Sequence, residues 1–382
     1  MDRRGFIQAL ATALGSGALA SGGMTPRAAV ADARRPPMRI LVLGGTRFIG
    51  IHLTRLAGER GHTVTLFNRG RTRTGLFPRL EHLKGDRNGE LDALRGRSWD
   101  AVIDDSGYVP RHVRLSAELL APHVQQYLFV STVSVYASTA RPNEESSATA
   151  RIADETVEKV DGETYGPLKA LCERAAESAM PGRVTVLRPG LIVGPQDNTD
   201  RFTYWPARAA RGGEFLAPGT PADGIQFIDA RDLAKFALHA LENGTKGTFN
   251  VVSAPGKITM GDLVSQSILA ANALVRPVPP PHANWAPADF LEAQKVQPWS
   301  DMPVWLPGTG DSAGFAQTLA TRAQGAGLTI RPLRDTVRDT LAWHLTRPRS
   351  EQSALKAGIA PEREREVLAA WRGGPPSRHA DS

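Results

Sequence analysis

Apolar residues in this chain come in short continuous runs separated by segments of helical spacing. The first run, Arg39-Ile40-Leu41-Val42-Leu43, ends in glycines, and Ile51, Leu53 and Leu56 then recur on a helical face up to Gly61. A short run with no polar face suits a parallel strand buried on both sides. Similar runs return at 63–67, 101–104, 126–130 and 184–187, a third strand is expected to end in Leu83-Lys84-Gly85-Asp86-Arg87, and a helical segment at 111–121 lies among them. Strands alternating with helices predict an α/β fold with a doubly wound parallel sheet. Residues 196–372 are predicted to form a smaller substrate-binding part interleaved with late sheet elements. Its helices are expected at 259–271, 335–344 and 361–371, and its Pro-rich stretch 278–307 as an irregular cap. The Gly/Pro-rich end, 373–382, reads as a disordered tail.

Between the first strand and helix stands Gly44-Gly45-Thr46-Arg47-Phe48-Ile49-Gly50. Strand, glycine turn and helix are the context of a dinucleotide fingerprint, which makes 38–195 a Rossmann NAD(P)-binding domain. Gly44 permits the tight turn and Gly50 the close approach of helix to strand, so that amides at the helix start face a pyrophosphate. Thr46, Phe48 and Ile49 belong to the same loop. Arg47 stands where the middle glycine is expected, and two readings stay open: its guanidinium binds phosphate, or it points outwards. The second strand ends in Asn68-Arg69, where an acid would hold an adenosine ribose hydroxyl and an Arg suits a 2′-phosphate. NADP is therefore expected over NAD, with NAD still possible. Asp86 and Arg87 close the third strand near the adenine, and Ser106 follows the fourth beside the cofactor. Asp104 and Asp105 read as strand-end structural residues ahead of paired acid/base carboxylates.

Candidate chemistry follows the fifth strand, in Ser131-Thr132-Val133-Ser134-Val135-Tyr136 and then Tyr165-Gly166-Pro167-Leu168-Lys169. Side chains at i and i+4 share a helix face, so Tyr165 and Lys169 point the same way. A tyrosine near pKa 10 is a weak base at neutral pH, and an adjacent ammonium favours its phenolate. These residues resemble the extended short-chain dehydrogenase/reductase family, which includes nucleotide-sugar epimerases and dehydratases; the resemblance runs from about Arg39 to Asn250. It implies that Tyr165 exchanges a proton with a carbinol or carbonyl oxygen and that Lys169 also binds the nicotinamide ribose. It further implies that Thr132 orients the substrate oxygen, with Ser131 and Ser134 as fallbacks, and that Pro189 of an Arg-Pro pair lies by the cofactor. The glycine loop also resembles atypical members, among them plant chloroplast stem-loop RNA-binding proteins, so a non-catalytic dinucleotide or RNA binder and a simple ketone reductase are the rivals.

Two positions depart from the sugar-nucleotide enzymes. Leu191 and Ile225 stand where those enzymes carry an Asn and an Arg for the substrate diphosphate, so a small sugar-like or cyclic substrate is expected instead. Asp200, Arg201 and Trp205, in a polar and aromatic stretch after the cofactor strands, are substrate candidates beside Ser134.

Charge and composition add an address and remove some classes. Arg3-Arg4-Gly5-Phe6, a weak apolar run and Ala31-Asp32-Ala33 read as a twin-arginine export signal over 1–33. The export machinery becomes a partner, and the periplasm the expected location. The formal charge is +7, yet the basic residues are scattered, so no nucleic acid is expected. One Cys and dispersed His give no metal site and no intrachain disulfide. No apolar run is long enough to span a membrane after the leader, and a homodimer is consistent with the family resemblance.

Overall fold

The computed structural model describes residues 36–372. The expected export signal and C-terminal tail lie outside the described residues. In chain order the structure comprises β1 (Arg39–Leu43), α1 (Ile49–Glu59), β2 (Thr63–Asn68), β3 (Glu81–Lys84), β4 (Trp99–Asp104), α2 (Pro110–Leu120), β5 (Val124–Val130) and α3 (Tyr165–Ala179). There follow β6 (Val184–Pro189), β7 (Leu191–Val193), α4 (Tyr204–Ala210), β8 (Glu214–Pro218), β9 (Phe227–Asp229), α5 (Ala230–Glu242) and β10 (Gly247–Val251). The rest is α6 (Met260–Leu274), β11 (His282–Ala286), α7 (Ala288–Ala293), α8 (Thr321–Gly325), α9 (Leu333–Leu345), α10 (Arg349–Ser353) and α11 (Pro361–Arg372).

Seven strands form one parallel sheet in the order β10-β6-β5-β4-β1-β2-β3. Successive side chains of a strand face opposite sides, and each side of this sheet is covered. Ile40 and Val42 pack with Leu53 of α1 and Leu233 and Phe236 of α5. Leu41 and Leu43 pack with Val113 and Ala117 of α2 and Cys172 and Ala176 of α3. Burial of both faces is why the strands read as unbroken apolar runs.

The strand order reverses between β1 and β4, the switch point at whose carboxyl ends ligands enter such sheets. The glycine loop leaves β1 there, and Asp104 ends β4 opposite Leu43.

The described residues from Pro37 onward form one unit, with α5 and β10 returning to complete the sheet half. A further core holds Trp205, Phe215, Leu263, Trp305, Leu341 and Leu368. Two local expectations are corrected. The stretch 278–307 is not wholly irregular: it contains β11, paired in parallel with β8, and α7. The third strand stops at Lys84, because Gly85 packs on the Glu90 carbonyl and the Phe67 ring, and an Asp86–Glu90 bridge turns the chain.

Candidate active site

The loop after β1 has the geometry a dinucleotide needs. Gly44 and Gly45 lie at φ of 124° and 86°, a region that suits glycine, and a Cβ on Gly50 would overlap the Gly45 backbone. Phe48 also has positive φ, 37°, so the turn into α1 is strained at a residue that is not glycine. Thr46 is buried, and Arg47 is exposed with its charge acting on the Tyr108 phenol. Asn68 Nδ2 donates to the Gly44 carbonyl at 3.1 Å, tying the end of β2 to the loop. Arg69 beside it is exposed and pairs with no carboxylate among the described residues. Such a cradle at the switch point fits an NAD(P) cofactor, with amides of the loop and of the α1 start as its anion donors.

The other residues expected around the cofactor each have a protein partner in the structure. Arg87 is turned inward: its guanidinium binds both Asp104 oxygens at 2.6 and 2.7 Å and donates to Ser116 Oγ at 2.8 Å. Once the third strand ends at Lys84, Arg87 is free to fill this buried pair, so it is corrected from cofactor residue to scaffold. Ser106 Oγ donates to the Leu43 carbonyl at 2.7 Å, stitching β4 to β1. Asp86 accepts the Asn88 amide in its turn. Pro189 is buried at the end of β6, opposite Val251 of β10.

The catalytic candidates converge. Tyr165 opens α3, and the following Gly166 lies against the Ser134 carbonyl so closely that a Cβ there would overlap it. This contact docks the helix start on the turn after β5. Thr132 caps that turn, accepting the Ser134 amide at 3.1 Å. Burial pushes the Tyr165 phenol up, while the facing Thr132 hydroxyl and the Arg201 guanidinium favour its anion.

The Lys169 ammonium is buried one turn along, donating to the carbonyls of Val130 and Gly107 at 2.6 and 2.7 Å, and burial lowers its pKa to about 8. The cation that favours the phenolate is thus Arg201, with Lys169 committed to the end of β5 and the segment after β4. Ser131 is turned away to Glu173, which also binds Arg188 through two bonds of 3.0 and 2.6 Å and so fixes α3 to β6. Cys172 packs in the core, with burial raising its thiol to about 12.

The substrate candidates divide. Arg201 lies 5.5 Å from the Trp299 ring centroid and donates from Nε to Thr199 Oγ1 at 3.3 Å, with no carboxylate salt bridge among the described residues. Ser134 is exposed beside Thr132. Asp200 and Trp205 are corrected to core residues. Asp200 accepts from Arg347 at 2.7 Å, and Trp205 Nε1 donates to the Pro303 carbonyl at 2.8 Å. Leu191 and Ile225 are both buried.

Fold and site together define a class, and sequence comparison agrees. Residues 111–252 match the model of the NAD dependent epimerase/dehydratase family. Epimerase family protein SDR39U1 of Bos taurus is 31% identical over 292 residues, covering 68% of this chain and 92% of that protein. The chain therefore belongs to the NAD-dependent epimerase/dehydratase family and is an extended short-chain dehydrogenase/reductase. It is also 28% identical over 246 residues to chloroplast stem-loop binding protein of 41 kDa b of Arabidopsis thaliana, with 59% of this chain matched and 61% of that protein's length spanned. The crystal structure of human SDR39U1 (isoform 2) with NADPH shares the fold at a TM-score of 0.52 and 22% identity, over 80% of this chain and 99% of that one.

Proposed function

We propose that this family member is an NADP-dependent enzyme acting at a carbinol or carbonyl carbon of a small oxygenated substrate. The observation that carries the proposal is the meeting of Tyr165, Thr132 and Arg201 beside the switch point, within reach of a glycine loop shaped for a dinucleotide. When bound, the nicotinamide would supply or accept the hydride. Tyr165 would hold or release the proton at the substrate oxygen, with Thr132 orienting that oxygen. Arg201 lowers the cost of the phenolate and, with Trp299, offers a polar and an aromatic surface to an oxygenated ring. Lys169 ties the start of α3 to the end of β5 and to the segment after β4, below Tyr165.

Arg69, exposed and without a carboxylate partner, supports NADP, and the human structural relative was crystallised with NADPH. Residues 1–33 support export by the twin-arginine route, which carries folded proteins; a cofactor restored within each turnover would suit an exported enzyme. Leu191 and Ile225 disfavour a nucleotide diphosphate and support a second reading, a simple ketone reductase.

Mass spectrometry of the dinucleotide that copurifies, and of its redox state after a turnover with candidate carbonyls, separates the two. Tyr165→Phe should keep the dinucleotide and lose about 10²–10⁴ in rate. An empty site in the purified protein and unchanged activity in Tyr165→Phe would refute the enzyme reading in favour of a binder.

A further inference from the structure

Asp105 occupies the inside of the glycine loop. A Cβ on Gly44 would overlap its Oδ1, and a Cβ on Gly50 its Oδ2, so both glycines make room for this carboxylate. Oδ2 accepts one long bond, 3.4 Å, from the Gly45 amide. Oδ1 is buried with no hydrogen-bond partner. A carboxylate with a buried, unpartnered oxygen is disfavoured as an anion, and Arg87 and Lys169, the two cations that act on this one, are already engaged. From the turn after β3, Arg87 is held by Asp104, the neighbour on β4. From α3, Lys169 is held by two carbonyls. On α1, His52 contacts the Pro195 carbonyl, and Tyr108 faces Asp105 from the segment after β4. Arg47, in the loop itself, is exposed.

We propose that Asp105 sets the affinity of the cofactor site: the pyrophosphate is accepted when Asp105 is protonated and opposed when it is ionised. This inference rests on the reading of the loop as the dinucleotide site. The Gly45 amide is one of the loop donors a pyrophosphate would use, and an ionised Asp105 both engages it and places a like charge within the loop. Protonation removes the charge and gives the unpartnered Oδ1 a hydrogen to donate. The change falls in a useful range, since burial, followed by the Asp104 charge, raises the Asp105 carboxyl to about 7. An arriving dianion raises it further. Binding at pH 8 is therefore coupled to uptake of a proton, and affinity falls by up to about tenfold per pH unit above 7.

The test is calorimetric titration of NADPH into the full chain and into Asp105→Asn between pH 6 and pH 9, in two buffers of different ionisation heat. The wild type should weaken by about tenfold from pH 7.5 to 8.5 and take up about one proton more than the variant at pH 8. Asp105→Asn should bind more tightly at pH 8 and keep only the slope that NADPH itself contributes. Asp105→Ser, smaller and uncharged, should repeat that loss of slope. Equal affinities and equal slopes in all three proteins overturn the inference while leaving the cofactor site intact. Tighter binding by both variants without extra proton uptake by the wild type also overturns it. Failure of all three to bind at any pH removes the dinucleotide reading as well.

Discussion

Asp104 and Asp105 are adjacent, chemically identical and predicted to respond in opposite directions to the same substitution. Asp104 is fully buried and accepts four hydrogen bonds: two from Arg87, one from Tyr127 Oη at 2.7 Å and one from the Ser106 amide at 3.1 Å. Asp104→Asn removes the charge that balances the buried guanidinium and sets an amide donor against other donors. Breaking one side of a buried pair costs about 3–5 kcal/mol.

Asp105 is the reverse case. A carboxyl raised from 3.8 to about 7 destabilises the folded state by up to about 4 kcal/mol once it is ionised. The residue keeps some solvent exposure, so screening brings the expected gain in Asp105→Asn to about 2 kcal/mol. The pH dependence has a definite sign. The unfolded chain loses this proton near 3.8 and the folded chain near 7, so the wild type loses this contribution progressively over that interval and all of it above 7. Urea unfolding at pH 4 and pH 8, read as midpoint shifts at constant slope, measures both effects. Asp105→Asn should be more stable than wild type at pH 8 and close to it at pH 4, with Asp104→Asn far less stable at pH 8. A destabilised Asp105→Asn at pH 8, or an equal gain at both pH values, would refute the account of an isolated carboxylate in the loop.

Three further outcomes are expected. Arg69→Ala should reduce the preference for NADP over NAD by about ten- to a hundredfold, measured as a ratio of dissociation constants, because a guanidinium–phosphate bond is worth about 1.5–3 kcal/mol. Arg201→Gln should move the Tyr165 phenol to higher pH in an ultraviolet difference titration referenced to Tyr165→Phe, since a cation that favours the phenolate is removed. Asp200→Asn should cost about 3 kcal/mol in urea unfolding while leaving NADPH affinity unchanged, because its partner is Arg347 in the fold and not a ligand.

The dinucleotide half was legible because buried parallel strands leave a continuous apolar run, and because Gly44 and Gly50 mark a turn that tolerates little else. The misreadings have a common cause in partners remote along the chain. Asp200 and Trp205 looked like a cleft because polar and aromatic residues crowd that stretch. Arg347 and Pro303, which engage them, lie 147 and 98 residues further on. Arg87 looked like a strand end facing the cofactor until Asp104, 17 residues later, turned it inward. Lys169 was found from its spacing to Tyr165, but no spacing reveals that its ammonium is engaged by the carbonyls of Val130 and Gly107.

The same limit explains the two places where neighbouring residues of one type had to be told apart. Of the hydroxyls after β5, Ser131 turns to Glu173, Ser134 stays exposed and Thr132 faces Tyr165. Of the two acids at the end of β4, one meets Arg87 and the other enters the glycine loop. Consecutive residues in extended backbone point to opposite sides, so the candidate sets could be drawn up from composition and position alone. Which member faces the site depends on what covers each side. Here Glu173 and Arg87 supply the answer: each engages one neighbour, Ser131 or Asp104, and so leaves Thr132 toward Tyr165 and Asp105 in the glycine loop.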